Sequence, residues 1–244
     1  MVIPVRDEER NVRPLHAELS GVLRTLGFEY ETIFIDDGSR DRTFEELSAI
    51  QRSDPRLRVI QFTQSFGQTA AFAAGFAHAR GRLIVTSDGD LQNDPADIPR
   101  LLELASSHDI VSGWRRKRKD NTLTREVPSV VANWLISLIT GIRLHDVGCS
   151  LKVYRAEVVK PLQLRPGMHR YLPAFASRLG GRVAELEVHH RPRRHGQSKY
   201  GLSRTLGVVA DLVQLRTLMR QVTMPPPGNL TPIYEIRQIL EHVG

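Results

Sequence analysis

Two aspartates separated by one glycine, Asp88-Gly89-Asp90, follow the apolar run Leu83-Ile84-Val85-Thr86, and Leu91-Gln92-Asn93-Asp94-Pro95 comes directly after them. The apolar run reads as a buried strand. Carboxylate oxygens are hard ligands suited to Mg²⁺ or Mn²⁺, which proteins usually hold through one or two carboxylates plus substrate phosphates. Gly89 relaxes the backbone between them and admits close approach. The carboxyl end of a parallel strand is where open α/β sheets bind ligands. The pattern is that of a divalent-metal site for a phosphorylated substrate; an ordinary surface turn is the competing reading of the same residue types. A second acidic stretch, Asp36-Asp37-Gly38-Ser39, also lies just past an apolar run. A carboxylate there can accept from a base N–H or a ribose hydroxyl. Ser39 or Asp41 is suited to cap a helix starting near Thr43, which would leave Asp37 free.

The elements that must position these residues follow from periodicity. Strands are expected at 2–5, 30–35, 57–62, 83–86 and 109–112. Helices are expected at 43–51, 67–79 and 97–106. Another helix begins after a candidate cap, Asn11. Its apolar positions Val12, Leu15, Leu19, Val22, Leu23 and Leu26 keep helical spacing, and Gly27 stops it. Strands alternating with helices predict an α/β fold with a mostly parallel, doubly wound sheet. Beyond Gly113 the pattern loosens. Helices are expected at 127–140 and 171–179 and short strands at 151–154 and 183–189. Residues 202–220 form an amphipathic stretch, Met224-Pro225-Pro226-Pro227-Gly228 a stiff linker, and 233–243 a last short helix. The expected organisation is a main domain over 1–201, an amphipathic and possibly membrane-interfacial helix over 202–223, and a linker with a short helix over 224–244.

Composition narrows the partners. The chain has 244 residues, a formal net charge of +7 and 41% hydrophobic residues. That hydrophobic share suffices for a globular core. The positive charge is concentrated in Arg115-Arg116-Lys117-Arg118-Lys119 and Arg191-Pro192-Arg193-Arg194 and predicts an anionic partner. A nucleic-acid binder would also be basic, but aromatics are only 6% and no standard nucleic-acid motif is present, so none is expected as a partner. The one cysteine, Cys149, rules out an internal disulfide and fits a reducing, cytoplasmic setting. The first residues read as a strand rather than a signal peptide. No run approaches the roughly 18 apolar residues of a membrane span. No Walker-type loop and no GxGxxG occurs, which disfavours P-loop enzymes and dinucleotide-dependent dehydrogenases. His189, His190 and His195 lack zinc spacing.

Four segments occur in order: Pro4-Val5-Arg6-Asp7-Glu8, Asp36-Asp37-Gly38-Ser39-Arg40-Asp41, Asp88-Gly89-Asp90-Leu91-Gln92 and Gly196-Gln197-Ser198-Lys199-Tyr200. Together they resemble the family 2, GT-A fold glycosyltransferases. The similarity is greatest to the polyprenyl-phosphate group, which includes dolichyl-phosphate mannose synthase and the undecaprenyl-phosphate formamido-arabinose transferases. Phe66-Gly67-Gln68, Val147-Gly148-Cys149 and Val188-His189-His190 match the latter type. The resemblance covers about residues 1–215.

It implies a GT-A sheet with a smaller acceptor-side extension, and a transferase moving a sugar from a nucleotide-diphosphate sugar to a polyprenyl phosphate. By the same resemblance Pro4, Val5, Glu8, Asp37, Gln68 and Asp88 line the nucleotide sugar, and Asp90, Asp88 and Gln92 hold Mg²⁺ or Mn²⁺. Arg193, Arg194, Ser198 and Lys199 clamp the donor diphosphate, and Arg115, Arg125 and Ser129 meet the acceptor phosphate. Transfer to a glycan hydroxyl is the alternative within enzymes, with Asp146 as its base. Two departures stand out. Arg6-Asp7 occupies the place where relatives often carry Tyr-Asn, so no aromatic is offered there for base stacking. Bacterial relatives commonly continue into transmembrane helices, whereas this sequence has the proline linker and a polar end. The expected location is therefore peripheral, at the cytoplasmic face of the inner membrane, through the 202–220 helix or a membrane-protein partner.

Overall fold

The computed structural model describes residues 1–116, 137, 140–192 and 232–242. The chain runs β1 (Val2–Val5), α1 (Val12–Arg24), β2 (Thr32–Asp36), α2 (Thr43–Gln51), β3 (Leu57–Phe62), α3 (Gln68–His78) and β4 (Leu83–Thr86). A 3-10 turn at Pro95–Asp97 leads into α4 (Ile98–Leu104), then come β5 (Ile110–Trp114), β6 (Lys152–Arg155), the single turn α5 (Ala156–Val159), a 3-10 turn at Met168–Tyr171, α6 (Leu172–Arg178), β7 (Val183–Glu187) and β8 (Ile236–Leu240).

All eight strands form one sheet in the order β7-β5-β6-β4-β1-β2-β3-β8. β1 pairs in parallel with β2 on one side and β4 on the other, and β2 pairs in parallel with β3. β6 and β8 are the antiparallel members. Strand alternation loads both faces. Ile3, Val5, Phe34 and Val59 meet α1, α2 and α4 through Leu15, Leu19, Leu47 and Leu101. Val2, Ile33, Ile35 and Ile60 meet α3 and α6 through Ala71, Ala74, Phe76 and Ala176 on the other face. This is the doubly wound arrangement expected.

The small residues of α3 have a specific use. A Cβ on Gly75 would overlap Val2 Cγ1 and stand 3.2 Å from Ile35 Cδ1, so the helix lies directly on β1 and β2. Its other end is fixed at the site described below.

The chain's last described stretch corrects an expectation. Residues 236–240 are a strand, not part of a helix over 233–243. The spacing of Ile233, Ile236, Ile239 and Leu240 satisfies a helical period. The edge of β3, however, offers a row of backbone donors and acceptors that must be paired or solvated. β8 takes them, with Ile239 opposite Ile60 and Gln238 opposite Gln61. Tyr234 stacks on Phe62 at 5.2 Å. Buried Arg58 donates to Glu31 and Glu241, both at 2.8 Å, and to the carbonyl of His78. Residues 236–240 therefore belong to the main sheet and not to a separate tail. The expected elements at 202–220 and 224–228 lie outside the described residues, as do all but Ser137 and Thr140 of the expected helix at 127–140.

The α3 contact gives a stability test. Gly75→Ala should destabilise the fold by about 1–3 kcal/mol through overpacking, lowering the melting temperature by about 2–4 °C per kcal/mol for a chain of this size. An unchanged melting curve would mean that α3 can slide off β1 without cost.

Candidate active site

Parallel pairing brings three loops to one end of the sheet. β1 ends at Val5, β2 at Asp36 and β4 at Thr86, with Val5 opposite Asp36. Gly89 lies against β1: a Cβ on it would come within 2.6 Å of Val5 Cγ1 and 3.2 Å of the Pro4 carbonyl. That close approach explains why a glycine separates the two aspartates. The Asp88-Gly89-Asp90 loop thus lies against Pro4 and Val5, and Asp37 N donates to Val5 O at 2.9 Å, which brings the two acidic stretches to the end of β1.

The loops after β1 and β2 are stitched to each other. Asp7 N donates to Ser39 Oγ at 2.9 Å and Arg40 N returns a bond to Asp7 Oδ1 at 2.8 Å. Glu8 N donates to Thr43 Oγ1, and the Glu8 carboxylate accepts from Asn11 Nδ2. Asn11 therefore stands at the start of α1 without a side-chain capping bond. Asp41, not Ser39, accepts from Thr43 N at the start of α2.

Asp37 is not free, contrary to expectation. Its carboxylate accepts from Phe66 N at 2.6 Å, Gly67 N at 3.1 Å and Ser65 Oγ at 2.8 Å. The turn that opens α3 presents its amides to this buried charge, which suits the positive end of a helix. Arg6 donates to Ser65 Oγ from the far side. One residue on, Gln68 Nε2 donates to Asp88 Oδ1 at 2.8 Å. The start of α3 therefore bridges both acidic loops. From the opposite face, Thr69 Oγ1 pairs with His169 Nδ1 at 2.7 Å and accepts from Gly167 N at 3.0 Å.

Asp90 begins a turn with unusual backbone. Leu91 has φ +64° and is 1% exposed, a left-handed conformation that costs a β- or γ-branched residue of order 1–3 kcal/mol and persists only where packing imposes it. Here the core holds the Leu91 side chain. The turn sends Asp90 and Gln92 on from the glycine, with Gln92 N donating to Asp90 Oδ1 at 3.2 Å. Asn93 Nδ2 ties the loop to Ser87 and Ser150. The chain leaving β7 lies across it: Arg191 N donates to Gln92 O, His190 bridges Asn93, and His189 N donates to Asp97 Oδ2.

A charged layer flanks Asp88 from β5 and β6. Arg115 forks onto Asp146, with Nε to Oδ2 at 2.7 Å and Nη2 to Oδ1 at 3.0 Å. Burial alone would lower the guanidinium's pKa, but the bonds and charge of Asp146 raise it overall, so the group is permanently cationic. Lys152, the first residue of β6, is buried, and its Nζ donates to the carbonyls of Val147 and Cys149. Burial lowers its pKa while Cys149, Asp146 and Asp88 counteract the shift. Sequence reasoning passed over Lys152, although a lysine inside the apolar run Leu151-Lys152-Val153-Tyr154 is a visible signal. Cys149 is fully buried and its thiol is pushed up to about 11 by burial, so it is inert packing.

The donor set fits a hard divalent cation. No group of three or more His, Cys, Asp or Glu side chains with metal-site spacing occurs among the described residues. Asp88, Asp90 and Gln92 carry two carboxylates and an amide oxygen on one loop, the kind of donors with which Mg²⁺ or Mn²⁺ is held alongside phosphate and water oxygens. Arg125, Ser129, Arg193, Arg194, Ser198 and Lys199 lie outside the described residues. Arg115 is placed at the site, though its fork is turned onto Asp146.

Two outcomes are expected. Asp146→Asn leaves the partly buried Arg115 without its charged partner and should cost about 1.5–3 kcal/mol in urea unfolding. Unchanged stability with lost turnover would instead mark Asp146 as a base. His169 is held neutral: burial first, then Arg170 and Lys152, lower its pKa from 6.5 to about 3. A folded pKa below the unfolded one means stability is full above pH 6.5 and falls as the pH drops. His169→Gln should flatten that part of the stability–pH curve, and an unaltered curve would show that the ring does not need to stay neutral.

The sequence model of Glycosyl transferase family 2 matches residues 1–162. Dodecaprenyl-phosphate galacturonate synthase of Rhizobium johnstonii is 44% identical over 230 residues, covering 92% of this chain and 68% of that protein. Undecaprenyl-phosphate 4-deoxy-4-formamido-L-arabinose transferase of Pseudomonas paraeruginosa is 37% identical over 219 residues, 89% of this chain and 64% of that protein. The chain thus spans about two thirds of the length of these relatives. Among solved structures, glucosyl-3-phosphoglycerate synthase of Mycobacterium tuberculosis, in complex with Mn²⁺, UDP and phosphoglyceric acid, superposes with a TM-score of 0.65 at 20% identity. The match covers 93% of this chain and 78% of that one. The fold is therefore that of GT-A glycosyltransferases. With its acidic loops gathered where strands β1, β2 and β4 end, the chain belongs to glycosyl transferase family 2, and its relatives are polyprenyl-phosphate glycosyltransferases.

Proposed function

We propose that this chain transfers a sugar from a nucleoside-diphosphate sugar to a polyprenyl phosphate, with Mg²⁺ or Mn²⁺ held by Asp88, Asp90 and Gln92. The observation that carries the reading is the 44% identity, across 92% of the chain, to a protein that makes a polyprenyl-phosphate sugar. The neighbour that binds Mn²⁺ and UDP supports the choice of cation.

The chemistry asks for little acid–base help. An acceptor phosphate monoester has a second pKa of about 6 and is already anionic at pH 7. Its oxygen forms a bond to the anomeric carbon as the bond to the donor diphosphate breaks, and the electron pair leaves with the diphosphate. One in-line displacement inverts the anomeric centre. A bound divalent cation would supply several kcal/mol of stabilisation to the leaving diphosphate. Arg193, Arg194, Ser198 and Lys199 would add charge-assisted bonds to the same group, and Arg115, Arg125 and Ser129 would position the acceptor. A hydroxyl acceptor would need a base near the sugar. The candidate for that role, Asp146, is 2% exposed and already engaged by Arg115, which favours the phosphate acceptor.

A lipid acceptor requires contact with a membrane, and we place the chain peripherally at its cytoplasmic face. No helix among the described residues is long and apolar enough to cross a membrane.

A label-transfer assay tests this. Protein, Mn²⁺, undecaprenyl phosphate in detergent and labelled UDP-galacturonate, UDP-glucose or GDP-mannose are mixed and extracted with organic solvent. Label should enter the organic phase with one donor and vanish with EDTA or Asp90→Asn. Nucleotide release in the presence of a glycan, with no lipid labelling, would refute the acceptor assignment.

A further inference from the structure

Arg191 belongs to a basic block that, by sequence, reads as a surface for an anionic partner. In the structure it is spent internally. Its guanidinium forks onto Asp94, Nη2 to Oδ1 at 2.7 Å and Nε to Oδ2 at 3.2 Å, and Nη1 reaches Glu18 of α1 at 2.5 Å. Its backbone grips the same loop. Arg191 N donates to Gln92 O at 2.8 Å, and Gln92 Nε2 donates to Arg191 O at 3.4 Å. One residue therefore joins α1, both ends of the Gln92–Asp94 stretch and the chain leaving β7.

We propose that Arg191 is a positioning residue for the cation-binding loop, acting through Asp94 and Gln92; this rests on the assignment of Asp88, Asp90 and Gln92 as the cation's ligands. Three features lead to it. Leu91 holds a left-handed backbone between Asp90 and Gln92, and such a conformation lasts only where its surroundings impose it. The core fixes the Leu91 side chain from below, and Arg191 fixes the next residues from above. The Gln92 amide nitrogen donates to the Arg191 carbonyl, so Arg191 also orients this side chain. The planar fork also matters: a bidentate carboxylate contact fixes orientation, which a lysine's point charge does not.

The test measures Mn²⁺ binding directly, by the loss of the free-ion paramagnetic resonance signal, in the presence of UDP or GDP. Arg191→Lys and Arg191→Met should each weaken Mn²⁺ binding about 10-fold or more, the usual cost of losing an outer-shell partner. Asp94→Asn should do the same, and the Arg191→Met/Asp94→Asn double variant should be no worse than either single. Arg100→Met is the control: this arginine bonds Asp97 and the Glu187 carbonyl nearby and not the 90–94 stretch. It should bind Mn²⁺ as the parent does. Parent-like Mn²⁺ affinity in folded Arg191→Lys, whatever its melting temperature, would overturn the proposal and leave a merely structural strap. So would a multiplying effect in the double variant. If the unaltered protein takes up no Mn²⁺ with either nucleotide, the cation assignment itself falls first, and that outcome is distinguishable from failure of the Arg191 proposal alone.

Discussion

Parallel pairing of β1 between β2 and β4 is the constraint on which the site depends. It makes three strands end side by side and points their connecting loops the same way. Every acidic group of interest then arrives at one edge without long-range steering. Gly89 against Val5 is the contact that allows the arrangement to close, and the start of α3 seals it by bonding Asp37 from one loop and Asp88 from the other. A helix lying directly on β1 through Gly75 is needed for that start to fall where it does. Packing at one end of α3 and polar bonding at the other are a single mechanical unit.

Charge is managed differently on the two sides of Asp88. Toward β2 the carboxylates are satisfied by backbone amides and hydroxyls, which cost little to bury. Toward β6 the chain sets a partly buried ion pair, Arg115 with Asp146, and buries Lys152 on two carbonyls, where burial lowers the amine's pKa. Buried ion pairs seldom add stability over apolar packing of the same volume. The Arg115–Asp146 pair beside the acidic loop is better explained by the potential it sets there than by folding. Arg115, kept cationic by Asp146, is a charge set in place before any ligand arrives and needs no reorganisation.

Much of this was legible in the sequence because the signals are local. Strand and helix periods from Val2 to Thr86 are clean, and a DGD step after an apolar run names its own place at a strand end. What was missed depends on contacts across the chain. Asp37 looked free because nothing near it in sequence needs it; its partners, Ser65 to Gly67, are nearly thirty residues on. Arg191 looked like surface charge because Asp94 and Glu18 are far away in the chain. Residues 236–240 kept a helical period that an open strand edge overrode. Lys152 was passed over within an expected strand, where a lysine among apolar neighbours marks a buried amine.

The β3–β8 pairing carries a consequence for how the chain is made. Gln61 waits for Gln238, a separation of 177 residues. At about 5–20 residues per second, a ribosome takes roughly 10–35 s to cover that distance. Throughout that time β3 is the outer strand of a nascent sheet with its hydrogen-bonding row open. An unpaired edge is a template for other chains, so the nascent protein passes through a stage in which chaperone cover, or the crowding of neighbouring polysomes, decides whether β3 meets its own partner or a stranger's.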